Sequence, residues 1–383
     1  MIIVSIYSGI IPSTTFIERL ILGLSQNHVK IILVGRKTQR VNYTNKNIVI
    51  NSFGNDLEMV IKGIFYCLVL KKKTKEVISK LKKRNWKEKL KLYAIVGPLV
   101  KHKCNLFHIQ WAKDLENWMF LQELGIKVVL SLRGAHINYS PMANADLALS
   151  YSFNFPKVNG FHAVSDAIGK VAQEYGAAEK KIKLIYSGFD LTDFQYHPKS
   201  NFGMGKLKVI SIGRPHWKKG YQLALDALQR INLLKLDWTY TIVGGIDEEL
   251  LFQIHQLGFK EQVLVKSRLT QEEIKTILLE HDVLLLPSVE EGVANVVLEA
   301  MALGTLVLSS DCGGMTEVIN HSSNGFIFKN RNIEHLTEIL KLISKLELAE
   351  VNKITSNARE TIEKQHNQDQ MVQGFKQLYL EII

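Results

Sequence analysis

The chain has 383 residues, 46% of them hydrophobic, and a formal net charge of +11. This length predicts two domains of ordinary size, and this composition supports packed cores and excludes a mainly disordered chain. The three cysteines are odd in number and far apart, which argues against a disulfide scaffold or a zinc site and favours a reducing compartment. The first residues lack the basic region of a signal peptide, and no apolar stretch has the roughly 20 residues of a membrane-spanning helix.

Strand-like and helix-like patterns alternate along the first half of the chain, which predicts a parallel sheet covered by helices. One helix is predicted over Thr15–Leu24. The predicted strands are Ile2–Tyr7, Val29–Val34, Asn47–Asn51, Leu106–Gln110, Lys127–Leu132, Phe161–Val164 and Lys183–Tyr186.

The positive charge is concentrated in residues 71–103. This segment contains thirteen Lys or Arg and only two acids, so its local net charge equals that of the whole chain. Apolar residues, Trp86 among them, are interleaved with the lysines, and this pattern predicts a surface that lies on anionic lipid. A solvated helix face that covers the first domain is the alternative. A nucleic-acid-binding patch is less well supported, because no nucleic-acid-binding motif is present.

The second half of the chain repeats the alternation. Its predicted strands are Leu207–Ile212, Trp238–Val243, Val263–Lys266, Val283–Leu286, Leu306–Ser309 and Gly325–Phe328. Its predicted helices are Gly220–Asn232, Glu248–Gln256, Gln271–Glu280 and Asn295–Ala302. A polar segment with the composition of a linker, Gln195–Lys206, separates the halves. We therefore predict an α/β fold of two doubly wound, Rossmann-like domains that face each other across a cleft, residues 1–195 and 206–360, followed by a helical segment, 361–383.

The segment Asp282–Asp311 carries the most specific chemical pattern. An apolar strand ends at Pro287, two carboxylates and a glycine follow, and a helix then begins near Asn295. Free backbone N–H groups and the helix dipole make such a helix N-terminus attractive to anions. Glu291 lies just before this helix and Glu299 lies inside it. A diphosphate at the helix end with carboxylates for sugar and ribose hydroxyls indicates a nucleotide-sugar site.

Several motifs occur in the order found in one enzyme family. They are Glu291 and Glu299 with Ala300-Met301-Ala302, Gly213-Arg214 with Lys219-Gly220, Gly244-Gly245, Gly313-Gly314 with Glu317, and Tyr186-Ser187-Gly188-Phe189-Asp190. In this order they resemble the family 4 retaining glycosyltransferases of the GT-B fold. The resemblance implies a C-terminal domain that binds the nucleotide sugar, an N-terminal domain that binds the acceptor, and a last helix that crosses back to the first domain.

The resemblance, together with the positions of these residues after strands, gives a set of candidate site residues. The predicted catalytic residues are Arg214, Lys219 and Glu291, with the two cations neutralising the leaving diphosphate in place of a metal. The predicted donor-binding residues are Gly213, Arg268, Gly292, Val293, Ala294, Asn295, Val296 and Glu299. Ala294 departs from the family's second glycine and adds a methyl group where the backbone approaches the donor. No metal and no cofactor are expected.

The acceptor side is predicted in the first domain. Gly9 follows the first strand, and Arg133 and His136 occupy the positions of the family's His and Asp after the strand Lys127–Leu132. Arg133 cannot act as a base at neutral pH, whereas His136 can either contact substrate or bond a loop backbone. His108, Gln110 and Trp111, at the end of another strand, are expected to line the same side.

The function predicted from these observations is metal-independent, retaining transfer of a sugar from a nucleotide-diphosphate sugar to a hydroxyl of a glycan or polyprenyl-linked acceptor, in bacterial surface-polysaccharide synthesis. The expected location is the cytoplasm, at the inner face of the cell membrane. A GT-B phosphorylase or sugar-nucleotide epimerase, and a non-enzymatic basic binding protein, are the alternatives. A Rossmann oxidoreductase is disfavoured because the first strand is not followed by Gly-x-Gly-x-x-Gly.

Overall fold

The computed structural model describes residues 2–40, 43–81 and 84–383. Lys82 and Lys83 of the predicted lipid-binding segment lie outside the described residues. The chain forms two compact units, one of Met1–Phe189 with Gln368–Ile383 and the other of Asp190–Asn367. The sequence had placed the end of the first domain at residue 195 and the start of the tail at 361. The structure groups residues 190–199 with the second unit, since Tyr196 and Lys199 bond Thr355 and Asn352 there.

Two sheets form the centres of these units, and every strand predicted from the sequence is present within a few residues of its predicted bounds. The first unit contains β1 (Ile3–Tyr7), β2 (Gly9–Ile11), β3 (Lys30–Lys37), β4 (Ile48–Phe53), β5 (Leu106–Ile109), β6 (Lys127–Leu132), β7 (Gly160–Ala163) and β8 (Ile182–Leu184). The second contains β9 (Leu207–Ile212), β10 (Trp238–Val243), β11 (Val263–Lys266), β12 (Val283–Leu286), β13 (Leu306–Ser310) and β14 (Phe326–Phe328).

Helices connect the strands of both units, and the sequence analysis had missed most of those between β4 and β7. In chain order they are α1 (Thr15–Gln26), α2 (Asp56–Val69), α3 (Lys72–Ser79), α4 (Trp86–Lys101), α5 (Ala135–Asn138), α6 (Ser140–Ala143), α7 (Ala145–Asn154), α8 (Asp166–Glu174), α9 (Tyr221–Leu233), α10 (Glu248–Gln256), α11 (Gln271–Glu280), α12 (Asn295–Leu303), α13 (Met315–Val318), α14 (Ile333–Ile343), α15 (Leu348–Gln365) and α16 (Gln368–Ile382). No helix in the described ranges is both long and apolar enough to cross a membrane.

All strand pairings in both sheets are parallel. The second sheet has the order β11-β10-β9-β12-β13-β14, and the central order of the first is β3-β1-β5-β6-β7-β8. Strand β4 pairs with β3 on the side away from β1, and the short strand β2 pairs with the C-terminal part of β3, after the residues that pair with β1. In each sheet the chain begins in the middle, moves to one edge, and then returns to build the other half. This is the doubly wound arrangement, with a switch point between β1 and β5 in the first unit and between β9 and β12 in the second.

A buried polar chain fixes the C-terminal helix α16 to the first sheet. The ring of His108 bonds the Tyr379 hydroxyl through Nδ1 at 2.7 Å and Ser131 Oγ through Nε2 at 2.8 Å, and Ser131 Oγ also lies 2.8 Å from His162 Nδ1. Burial lowers the pKa of His108 to about 3 and lowers that of His162, so both imidazoles are neutral at physiological pH. The prediction that His108 lines the acceptor side is therefore wrong, because both ring nitrogens are occupied inside the core.

Candidate active site

The second unit brings two loops together at its switch point. The loop after β9 contains Gly213 to Gly220, and the loop after β12 contains Pro287 to Ala294. Because β9 and β12 are neighbours and parallel, both loops leave from the carboxyl edge of the sheet. Gly220 has a φ of +64°, and a Cβ built there would lie 2.0 Å from the carbonyl oxygen of Pro287. Only glycine allows the two loops to approach this closely.

Glu291 is the centre of a charged cluster between these loops. Its Oε1 lies 2.6 Å from Lys219 Nζ and accepts a hydrogen bond from Ser288 Oγ at 3.1 Å. Lys218 Nζ is 3.8 Å from Oε2. Glu291 is only 9% exposed. Two ammonium groups beside one nearly buried carboxylate form a site with an excess of positive charge, which suits a diphosphate.

The N-terminus of α12 opens next to this cluster. Its N-cap residue is Ala294, which offers no side-chain acceptor to the first-turn N–H groups. The N-terminal end of α12 therefore has no competing side-chain cap and retains the positive end of the helix dipole. Glu299 is half-buried in this helix, and Gly304, with a φ of +92°, ends it.

The loop after β13 holds the Glu291 loop in place. Gly314 N donates to the carbonyl oxygen of Gly292 at 2.7 Å. Gly313 has a φ of +55°, and a Cβ there would lie 1.8 Å from the carbonyl oxygen of Glu291. Ser310 Oγ donates to the Ser288 carbonyl at 2.5 Å from the neighbouring strand. Gly313, the first glycine of the pair that the sequence analysis noted, thus has a direct steric reason, which is the backbone of the acidic loop.

The structure brings only some of the predicted donor-site residues into contact. Lys219 and Glu291 meet directly, whereas Arg214 is exposed on the same loop as Lys219, and Arg268 is exposed on the loop after the edge strand β11. The remaining predicted residues follow β9 or lie at the start of α12: Gly213, Gly292, Val293, Ala294, Asn295 and Val296. Gly292 and Ala294 are buried, and Gly213, Val293, Asn295 and Val296 are half-buried.

Sequence reasoning missed two members of the charged cluster. Lys218 is one of them, and its side chain is 15% exposed and faces Glu291. Its backbone is also fixed, because Val289 N donates to the Lys218 carbonyl at 2.7 Å. Ser288 was not singled out at all, although it is fully buried. The adjacent pair Lys218-Lys219 was the available signal for a doubled charge at this turn.

The first unit gathers its predicted residues around the carboxyl ends of β1, β5 and β6. Gly9 follows β1 with a φ of +82°. Arg133 lies over the ring of Phe16, with its guanidinium carbon 4.3 Å from the ring centroid. His136 is in the short helix α5, and its ring centroid is 5.6 Å from that of Trp111. Gln110 is completely buried and accepts a hydrogen bond from Arg133.

Within residues 2–40, 43–81 and 84–383, no group of three or more His, Cys, Asp or Glu side chains is arranged to hold a metal ion.

The geometry can be compared with known proteins. Residues 193–361 match the family model described as glycosyl transferases group 1. An uncharacterized glycosyltransferase of Haemophilus influenzae is 30% identical over 67% of this chain and 76% of its own length. The structure of HepE from Anabaena with UDP and glucose covers 100% of both chains with a TM-score of 0.73 at 17% identity, which supports the fold alone. The protein is therefore a glycosyltransferase of the GT-B fold, with two parallel-sheet units.

Two further relatives work on bacterial glycans according to their names. One is WcaL of Escherichia coli, named for colanic acid biosynthesis, 27% identical over 65% of this chain and 63% of its own length. The other is an N-acetylgalactosaminyltransferase of Campylobacter jejuni, named for a diacetylbacillosaminyl-diphospho-undecaprenol acceptor, 27% identical over 74% of this chain and 76% of its own. The chain belongs to the glycosyltransferase family, and its homologues include glycosyltransferases of bacterial polysaccharide synthesis.

Proposed function

We propose that the protein transfers a sugar from a nucleotide-diphosphate sugar to a hydroxyl of a lipid-linked glycan, with retention at the anomeric carbon and without a metal. The observation that carries this proposal is the contact between Lys219 and Glu291 at the switch point of the second sheet, beside the N-terminus of α12. This edge is where doubly wound sheets bind nucleotides, and the charges present match a diphosphate.

Different residues of the second unit would stabilise the leaving group and bind the hydroxyls of the donor. As the bond between the anomeric carbon and the phosphate oxygen breaks, negative charge grows on the nucleoside diphosphate. Lys218, Lys219 and Arg214, with the N–H groups of α12, stabilise this charge and thereby lower the barrier. Glu291 orients the lysines and accepts from hydroxyls of the sugar, and Glu299 accepts from the ribose. A bond forms between the anomeric carbon and the acceptor oxygen on the same face, and the acceptor's proton passes to the leaving phosphate.

The names of similar proteins agree with this choice of substrates. HepE was solved with UDP and glucose, and the Campylobacter jejuni relative is named for an acceptor built on diphospho-undecaprenol. We therefore propose a uridine or guanosine diphosphate sugar as donor and a polyprenyl-diphosphate-linked glycan as acceptor.

The direct test is a thermal-shift screen of UDP- and GDP-sugars, followed by transfer assays with the best donor in the presence of EDTA. A ligand that binds only the folded protein raises the melting temperature in proportion to its affinity. NMR of the product should show the anomeric configuration of the donor. Lys219→Gln should lower turnover strongly, whereas Arg230→Gln, on the surface of α9, should not. Loss of activity with EDTA, or an inverted product, would contradict the metal-independent retaining mechanism.

We also propose that the first unit lies on an anionic membrane surface, and helix α2 supports this proposal. Large apolar side chains are exposed along one face of α2: Leu57, Ile61, Ile64, Phe65 and Leu68. Their spacing of three and four residues places them on one stripe. The opposite face packs on α4, where a Cβ at Gly63 would lie 2.1 Å from the Leu90 carbonyl oxygen. A run of exposed large apolar side chains along one helix face indicates an interaction surface.

Positive charge borders this stripe, and it favours anionic lipid as the partner. Exposed lysines follow α2 directly: Lys71, Lys72 and Lys73. Trp86, at the start of α4, is 65% exposed. By contrast, Val77 and Ile78 of α3, and the second half of α4, are buried in the unit's core. We therefore propose that Lys71, Lys72, Lys73 and Trp86 of the predicted segment face the lipid together with the apolar stripe of α2.

Vesicle co-sedimentation tests this surface. Replacing Ile61, Phe65 and Leu68 with Ser should reduce binding to vesicles containing phosphatidylglycerol by about 10-fold or more, since each buried apolar side chain contributes roughly 1.5–3 kcal/mol. Replacing the exposed Leu251 and Phe252 of α10 with Ser is the matched control and should leave binding unchanged. Equal binding of the wild type to neutral and anionic vesicles would contradict the role of the lysines.

A further inference from the structure

Half-buried Arg133 and fully buried Gln110 form a hydrogen-bonded pair in the first unit. Arg133 Nη2 donates to Gln110 Oε1 at 3.3 Å. Arg133 Nε and Gln110 Nε2 are both out of contact with solvent and have no hydrogen-bond partner among the described residues. Arginine has only donors, so the oxygen of the Gln110 amide must face it and the NH2 group must face elsewhere. The pair therefore presents two unpaired nitrogen donors, the N–H of Arg133 Nε and the NH2 of Gln110.

The surroundings of Arg133 leave its charge unpaired. Among the described residues, no carboxylate forms an ion pair with it. The titratable groups that interact with Arg133 are His108 and His162, which are neutral, and Tyr379. Burial lowers the pKa of Arg133 to about 9, so the guanidinium still carries its charge at neutral pH. A half-buried cation without a counter-ion and buried donors without acceptors are unfavourable, and an anion that binds them removes this cost.

Aromatic rings fix the guanidinium in place. Phe16 lies under it, and Trp111 packs edge-on against Phe16 with ring centroids 6.1 Å apart. Stacking of this kind holds the planar fork of arginine and directs its N–H groups, which is an arrangement suited to bidentate recognition of phosphate or carboxylate. Because Arg133 cannot accept a proton at neutral pH, its contribution is binding and not acid–base chemistry.

We propose that Arg133 and Gln110 bind an anionic oxygen group of the substrate and make the enzyme selective for a charged one. This inference rests on the proposed function. The group is either a phosphate of the lipid-linked acceptor or a carboxylate of the transferred sugar, and both have the oxygen geometry that the two donors require. The site lies at the carboxyl edge of the first sheet, where β5 and β6 end next to the switch point.

Kinetics with paired substrates distinguish the two sources. In one arm, the acceptor saccharide is linked to a short isoprenyl chain either through a diphosphate or through an uncharged ether. In the other arm, the donor is UDP-glucose or UDP-glucuronate. Arg133→Gln should raise the KM of the charged member of one pair about 10-fold to 100-fold and leave its neutral counterpart within about twofold. The arm in which this occurs identifies the source of the anion.

Gln110→Glu provides a second test that does not depend on activity. It keeps the size of the side chain and places a carboxylate 3.3 Å from the guanidinium. This built-in anion should raise the melting temperature of the substrate-free protein and, by occupying Arg133, abolish the preference for the charged substrate. A lower melting temperature at neutral pH together with an unchanged preference would overturn the inference.

Lys127→Gln is the matched control. Lys127 is exposed at the amino end of β6, the strand whose carboxyl end leads into Arg133. The substitution therefore removes the same charge from the opposite edge of the sheet. It should change neither KM nor melting temperature. If the wild type transfers no sugar, the proposed function fails. If it transfers sugar but Arg133→Gln treats charged and neutral substrates as the wild type does, only this inference fails.

Discussion

Lys219 and Lys218 lie at different distances from the Glu291 carboxylate, and this difference gives a quantitative prediction. Lys219 Nζ lies 2.6 Å from the carboxylate and Lys218 Nζ lies 3.8 Å from it, with all three side chains less than one fifth exposed. At an effective dielectric constant of about 20, the Coulomb attraction is about 6 kcal/mol for the shorter contact and about 4 kcal/mol for the longer one. Desolvation offsets most of both values, and only the shorter contact is also a hydrogen bond.

We expect a coupling free energy of about 2–3 kcal/mol between Lys219 and Glu291, and of less than about 1 kcal/mol between Lys218 and Glu291. Double-mutant cycles measure both values. The variants Lys219→Gln, Lys218→Gln and Glu291→Gln, alone and in pairs, are compared by urea unfolding, and the m-value of each variant is checked for constancy.

The same variants connect stability to function. Lys219→Gln should lower turnover more than Lys218→Gln does, because Lys219 directly contacts Glu291, the carboxylate that we propose binds the donor. A coupling for Lys218 equal to or greater than that for Lys219 would refute the reasoning, because the cluster would then not be organised by the 2.6 Å contact.

Three further predictions concern other parts of the molecule. Glu299→Gln should raise the KM for the donor about 10-fold, with little change in the KM for the acceptor, because it removes a charged hydrogen-bond acceptor for the ribose. His108 has a pKa near 3 when folded and near 6.5 when unfolded, so the unfolded chain binds the proton first as the pH falls and stability declines from about pH 6.5 downwards. The loss is about 2 kcal/mol by pH 5 for this residue, and His108→Gln should remove that share of the pH dependence of urea unfolding, whereas the exposed His255→Gln should not. Gly313→Ala should destabilise the protein by well over the cost of Gly203→Ala, since both have positive φ but only the first forces a Cβ onto a neighbouring backbone; equal melting temperatures for the two variants would contradict the steric argument.

The sequence by itself determined the architecture and the two loops that form the proposed donor site. Short apolar runs and the turn residues between them placed β9 to β14 and the helices from α9 to α12 nearly at their observed bounds. The residues of the donor loops follow directly after those strands, and parallel strands bring their carboxyl ends to one edge. Local pattern was therefore enough to predict that the Lys219 loop and the Glu291 loop would meet.

Tertiary structure decided which polar groups are paired and which surfaces face solvent. Nothing local distinguishes Lys218 from an ordinary surface lysine, because its burial comes from the loop after β12. Arg133 packs over Phe16 and bonds Gln110, both far from it in sequence, while its Nε has no partner among the described residues. The outward stripe of α2 depends equally on Gly63, which lets the other face of the helix approach the α4 backbone closely. Periodicity gives a helix its apolar face, but only the neighbours that pack against the helix determine whether that face is covered.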